Sequence, residues 1–191
     1  WKEKYKIVKD FIDRAYYADI VMAAEAYGTE ETVLGGAGVK NFLAADAFML
    51  NRTENLFQSG YIKNGDLSQV FDIDDMKIEE DVTHAWYKGT NRLQPYDGVT
   101  EPEYTGFVDG DTVNGEAKII DETQKYSWVK APRYDGEAME VGPLSCLLVN
   151  YARGNKKVQA EVGAFLKRTG LPVGALFTTL GRTAARMLQT K

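Results

Sequence analysis

The stretch that most limits how this chain can fold is Tyr126 to Leu144, YSWVKAPRYDGEAMEVGPL. Tyr126, Trp128 and Val129 read as the end of a strand, because aromatic and β-branched side chains suit a pleated, half-buried surface. Ala131-Pro132 is expected to stop that ladder, since proline donates no hydrogen bond and biases the residue before it toward extended backbone. Tyr134-Asp135-Gly136 then reads as a turn. Gly142-Pro143 opens the apolar run Leu144 to Tyr151, with Pro143 at the first helical position, where a missing donor costs nothing. The stretch is thus a strand-to-helix connector, and its residue types alone specify no chemistry.

Composition narrows the remaining choices. At 191 residues and 44% hydrophobic the chain can bury a core without covalent staples. Its 23 basic and 28 acidic residues give a net charge of −5, which disfavours nucleic acid as a partner because phosphates call for an excess of Lys and Arg. Cys146 is the sole cysteine and His84 the sole histidine, so neither a disulfide nor a thiolate metal site can be assembled from this sequence. No run approaches the roughly 20 apolar residues of a membrane-spanning helix, so no direct membrane span is expected.

Along the chain, Tyr5, Val8, Phe11/Ile12, Ala15/Tyr16, Ile20 and Ala23/Ala24 recur at helical spacing. The pattern predicts a core-facing helix over 2–27, ended by Gly28, with Lys2, Lys4, Lys6 and Lys9 giving its start a basic surface. Gly36-Ala37-Gly38-Val39-Lys40-Asn41 resembles a phosphate loop only superficially. It follows a helix, has Asn where a dinucleotide fingerprint needs its third glycine, and lacks Gly-Lys-Ser/Thr; a close-packed turn is the better reading. Residues 28–90 are expected to be loops and short strands, with turns at Ser59-Gly60 and Asn64-Gly65-Asp66. Asp74 to Asp81 reads as an acidic helical turn with a solvated face and lacks the calcium-loop pattern. His84, beside Trp86 and Tyr87, reads as an interior, hydrogen-bonded histidine. Residues 91–130 suggest a small antiparallel β region feeding into Trp128, with Asn114-Gly115 as a hairpin turn. From 143 to 191 the chain is helical: Leu144 to Arg153 ended by Gly154, Lys156 to Arg168 ended by Gly170, and a third helix begun by Pro172 and running through Leu188. Cys146 reads as a small buried residue on an apolar helix. The fold class is mainly α (α+β), helical hairpins with a small antiparallel β insertion, in a single domain over 1–191. Because it opens and closes inside helical patterns, the chain is expected to be a central fragment of something longer.

Seven motifs in order, GGAGVKNFL at 35–43, LFQSGYI at 56–62, GDLSQV at 65–70, EDVTHAWY at 80–87, PYDGVTEPEYTG at 95–106, YSWVKAPRYDGEAMEVGPL at 126–144 and ALFTTLGRTAAR at 175–186, resemble the large subunit of respiratory, uptake-type nickel-iron hydrogenases. The resemblance implies an intact parent that oxidises dihydrogen reversibly and passes electrons to a small subunit carrying iron-sulfur clusters, at the periplasmic face of the membrane. In that family two C-x-x-C motifs hold nickel, and the iron carries carbonyl and cyanide. Neither motif is in this sequence, so no catalytic, cofactor-binding or metal-ligating residue is assigned here, and the chain alone is expected to be inactive. Lys130-Ala131-Pro132-Arg133-Tyr134 shares only Ala-Pro-Arg with the family's catalytic-arginine motif, so that role is not carried to Arg133. Cys146 stands where an arginine is usual. Lys130, Arg133, Asp135, Glu137 and Glu140 are expected to pair with one another or with segments outside this chain. The expected partners are the small subunit and the rest of the large subunit, and the isolated fragment is expected to self-associate through exposed apolar surface. Two other readings remain at this point: a non-catalytic helical interaction module retaining the hydrogenase scaffold, and a related respiratory-complex subunit.

Overall fold

A computed structural model describes residues 1–34, 36, 38–98, 100–110 and 117–191. The chain divides into two compact units, 1–73 with 140–191, and 74–139.

The first unit begins with α1 (Lys2–Phe11), a π-helical turn (Ile12–Tyr16) and α2 (Tyr17–Leu34). Gly28 does not end this helix. It lies inside α2 and is buried, and a Cβ placed on it would come within 2.5 Å of Leu171 Cδ1. Glycine is used there for close approach, and the helix runs on to Leu34. The core-facing expectation holds for α2, which buries Val21 and Ala24, and fails for α1, none of whose residues is buried. Residues 2–11 are exposed on every face and α1 packs mainly on the π-helical turn that follows it, so its apolar stripe lies beyond the core whichever way it points.

Four three-residue strands follow: β1 (Phe42–Ala44), β2 (Ala47–Met49), β3 (Asn55–Phe57) and β4 (Gly60–Ile62). β1 pairs with β4 and β2 with β3, both antiparallel. Asn64 and Gly65 form the expected turn, at φ 54° and 70°, whereas Gly60 is a strand residue and not part of a turn. β1 is buried along its whole length.

The second unit holds a 3₁₀ turn (Asp75–Lys77), β5 (Ile78–Asp81), β6 (Phe107–Gly110), β7 (Ala117–Ile120), β8 (Ala131–Tyr134) and β9 (Glu137–Ala138). Its sheets are β5-β8-β9 and the pair β6-β7, all antiparallel. The Asn114-Gly115 turn lies outside the described residues, though the strands on either side of it pair as a hairpin. Two expectations reverse. Tyr126 to Val129 is not a strand, and Ala131-Pro132 begins one instead of ending it. Pro132 is tolerated because it sits opposite Glu80 and needs only its carbonyl, which accepts from Met139 N at 3.1 Å. Asp135 and Gly136, both at positive φ, make the two-residue turn between β8 and β9, as Asp-Gly favours. Trp128 packs instead on the rings of Trp86, Tyr87 and Tyr104, with centroids 5.2–5.7 Å away.

The chain returns to the first unit with α3 (Pro143–Ala152), α4 (Lys156–Thr169), a 3₁₀ turn (Val173–Phe177) and α5 (Thr179–Thr190). Pro143 is at the helix start as expected, and every residue from Leu144 to Asn150 is buried, as suits a helix apolar all round. Asn155 caps α4 by accepting from Lys157 N and Val158 N, and Gly170 ends it in the left-handed conformation. The third helix is two pieces. Thr178 is extended, and its hydroxyl accepts from Gly181 N at 3.0 Å, starting α5 afresh. A Cβ on Gly36 would lie 2.3 Å from Phe177 O, so at Gly36 the glycine serves the close approach the sequence suggests, against this break. The core is α3 packed between β1 and α5, closed by α2 and α4, with Phe42, Ile62, Leu148, Met187 and Val162 fully buried. The α+β class is that of the sequence reading, with the β content spread over several small sheets.

Candidate functional site

The charged connector is the place to look for chemistry. Strand alternation sorts its charges onto two faces of the β5–β8 pair. Glu80 lies opposite Pro132 and shares its face with Lys130; Asp81 lies opposite Ala131 and shares its face with Arg133. On the first face Lys130 Nζ donates to Glu80 Oε2 at 3.0 Å and to Thr100 Oγ1 at 2.9 Å, and stands 5.4 Å from the Tyr87 ring centre. On the second, Asp81 Oδ2 accepts from Arg92 Nε at 3.0 Å and lies 3.3 Å from an Arg133 terminal nitrogen, while Oδ1 accepts from Thr83 N at 3.0 Å. Burial alone would raise the Asp81 carboxyl, but hydrogen bonds from Thr83 and Arg92 and the charge of Arg133 outweigh it and hold the group at about 2.

The expectation that the connector charges pair with one another does not hold where partners are seen. Lys130 takes Glu80, Arg133 takes Asp81, and Asp135 takes Lys77 at 3.1 Å. In the first unit Glu140 takes Arg182 through two hydrogen bonds of 2.8 and 2.6 Å. That Arg182 guanidinium also donates to Phe177 O and Thr178 O, and the Glu140 backbone bonds both Asn41 and Leu43. The acidic run 74–81 is likewise not one solvated face. Asp74 caps the 3₁₀ turn through Met76 N, and Glu80 and Asp81 are committed to cations. Sequence reading missed the Arg92–Asp81–Arg133 cluster. The signal for it was Asp81 closing a strand whose alternation matches Arg133, and Arg92 offered none.

His84 is hydrogen-bonded but not interior. Its Nδ1 donates to Gln124 O at 2.9 Å, its ring stacks on Tyr126, and it is exposed at the rim of a cleft of about 270 Å³ lined also by Asp81, Ser127 and Arg133. Cys146 is buried on α3; burial pushes its thiol up, against a hydrogen bond with Gln189 that pulls the other way. Nickel and iron held by thiolates need several soft, ionised ligands at one point. A single buried thiol kept protonated does not fit that need. Among the described residues no three His, Cys, Asp or Glu side chains are grouped to hold a metal ion. The arrangement matches charge to charge and fixes backbone.

Comparison with known proteins gives this architecture its context. The sequence profile of the family described as nickel-dependent hydrogenase matches residues 1–191. The chain is 51% identical to the quinone-reactive Ni/Fe-hydrogenase large chain of Wolinella succinogenes, covering all of this chain and 34% of that one. It is 40% identical to the uptake hydrogenase large subunit of Rhizobium leguminosarum bv. viciae, over 95% of this chain and 32% of that one. The reduced Ni-Fe-Se hydrogenase of D. vulgaris Hildenborough superposes with a TM-score of 0.66 at 27% identity, covering the whole chain and 37% of its counterpart. This chain therefore spans about a third of the length of the relatives it matches. By the full-length profile match and by identity to hydrogenase large subunits along its whole length, the chain belongs to the nickel-dependent hydrogenase family, as a segment of a nickel-iron hydrogenase large subunit.

Proposed function

We propose that these 191 residues form a scaffold segment of a large subunit whose intact form oxidises dihydrogen reversibly to protons and electrons, passing the electrons to an iron-sulfur small subunit. The observation that carries this reading is 51% identity to a hydrogenase large chain over the entire segment, in a chain whose own donor groups do not suit the metal centre. The segment's work is then mechanical. The Arg92–Asp81–Arg133 cluster and the Lys130–Glu80 pair hold β5 against β8, and the Glu140–Arg182 pair ties the segment before α3 to the start of α5. The nickel-iron centre belongs to other parts of the parent, and the parent works at the periplasmic face of the membrane.

Metal analysis of the purified segment tests the reading directly. The expected result is no stoichiometric nickel and no hydrogen evolution, and tight nickel at one per chain would overturn it. In the intact enzyme, Arg133→Ala is expected to lower the yield of assembled large subunit while the assembled fraction keeps its turnover per nickel. Full assembly with lost turnover would place Arg133 in the chemistry instead.

A further inference from the structure

The first helix of the chain is built to be covered. In α1, Tyr5, Val8 and Phe11 follow one another at three-residue spacing, which puts them along one side of the helix. Yet Tyr5 is 58% exposed, Val8 55% and Phe11 59%, and no residue of α1 is buried. The positions flanking this stripe are basic: Lys2 and Lys9 on one side, Lys4 on the other. Lys9 is paired with Asp13 within the helix at 2.5 Å. Flanking charges of this kind select partners by sign. A second copy of the same helix laid alongside would bring Lys toward Lys, whereas a helix flanked by Asp and Glu would neutralise them. The relatives carry about twice as much polypeptide again as this segment, so the cover is available in the same subunit.

We propose that the Tyr5–Val8–Phe11 face of α1 is the docking surface for a second helix, apolar along its seam and acidic along its flanks, supplied by the part of the large-subunit polypeptide outside these 191 residues. The proposal rests on the scaffold reading above. It also names the surface by which the segment joins the rest of the subunit, and it explains a stripe of large apolar side chains that the first unit's own core leaves in water.

The test uses the full large subunit expressed with its small subunit, with the photo-crosslinking residue p-benzoylphenylalanine in place of Phe11, and in place of Tyr96 as a second site. After irradiation, mass spectrometry is expected to map the Phe11-site crosslink to a helix of the same large-subunit chain, with Asp or Glu within one turn of the linked residue. A crosslink to the small subunit or to a second large subunit would overturn the proposal, as would no crosslink in an assembled, nickel-loaded enzyme. In those cases the scaffold reading survives; if the unaltered subunit itself fails to load nickel with its small subunit, the scaffold reading falls and the docking proposal with it. Lys2→Glu with Lys4→Glu is expected to reduce the yield of assembled enzyme at least threefold, and Lys2→Arg with Lys4→Arg to leave it unchanged. Equal yields for the two pairs would overturn the acidic flank.

Discussion

Asn150 is the buried polar side chain on which the packing of α3 depends most visibly. It is fully buried, its Oδ1 accepts from Gln58 N at 2.8 Å, and its Nδ2 donates to Gln58 O at 3.2 Å and Cys146 O at 2.9 Å. The side chain thus stands in for a neighbouring strand at the corner between β3 and β4. Asn150→Ala removes all three bonds. The Cys146 carbonyl keeps its place in the helix ladder, so the cost falls on the two Gln58 backbone groups, at about 1 kcal/mol each, with a further 1 kcal/mol or so for the small cavity. The expected loss is about 3 kcal/mol, read as a lower urea midpoint at unchanged slope. Asn150→Leu separates the two causes, because it refills the volume without restoring the bonds. It should be nearly as destabilising as Ala. A Leu variant within about 0.5 kcal/mol of the parent would refute the hydrogen-bond argument and leave volume as the explanation.

The Asp81 carboxyl is depressed from its ordinary 3.8 to about 2, so its contribution is fully present above pH 3.8 and is lost as the pH falls from there through about 2; the gap is worth at most about 2 kcal/mol. Stability curves of the parent and Asp81→Asn, measured from pH 7 to pH 2, are expected to differ by that amount at neutrality and to converge at the acid end, and a constant gap would contradict the assignment. Gly36→Ala combines a positive φ of 68° with a Cβ 2.3 Å from Phe177 O, whereas Gly89→Ala at φ 88° meets open space. Thermal melts should show the first costing several kcal/mol and the second about 1 kcal/mol. Cys146, buried and with its thiol pushed up, is expected to resist an aromatic disulfide reagent in the folded chain and to react fully in denaturant; rapid modification of the native protein would show that α3 is open.

The amino-acid sequence by itself determined what depends on neighbours a few residues apart. Pro143 after Gly142 starts α3, Gly170 stops α4, and Asp135-Gly136 turns β8 into β9, because each requirement is a backbone conformation or a local capping bond. Family membership was legible for a related reason: long motifs in fixed order are read along the chain itself and need no knowledge of its packing. Only the tertiary structure decided the rest. Gly28 looked like a helix end because the partner that explains it, Leu171, is far along the chain. Pro132 looked like a strand breaker because nothing local shows that its strand neighbours need only its carbonyl. Asp81 looked solvated until the pairing of β5 with β8 brought Arg133 beside it and a loop brought Arg92. The apolar stripe of α1 promised burial in this core, yet α1 lies beyond it with every residue exposed. Periodicity states which residues share a face; what that face meets is settled only by packing, at distances the local sequence does not encode.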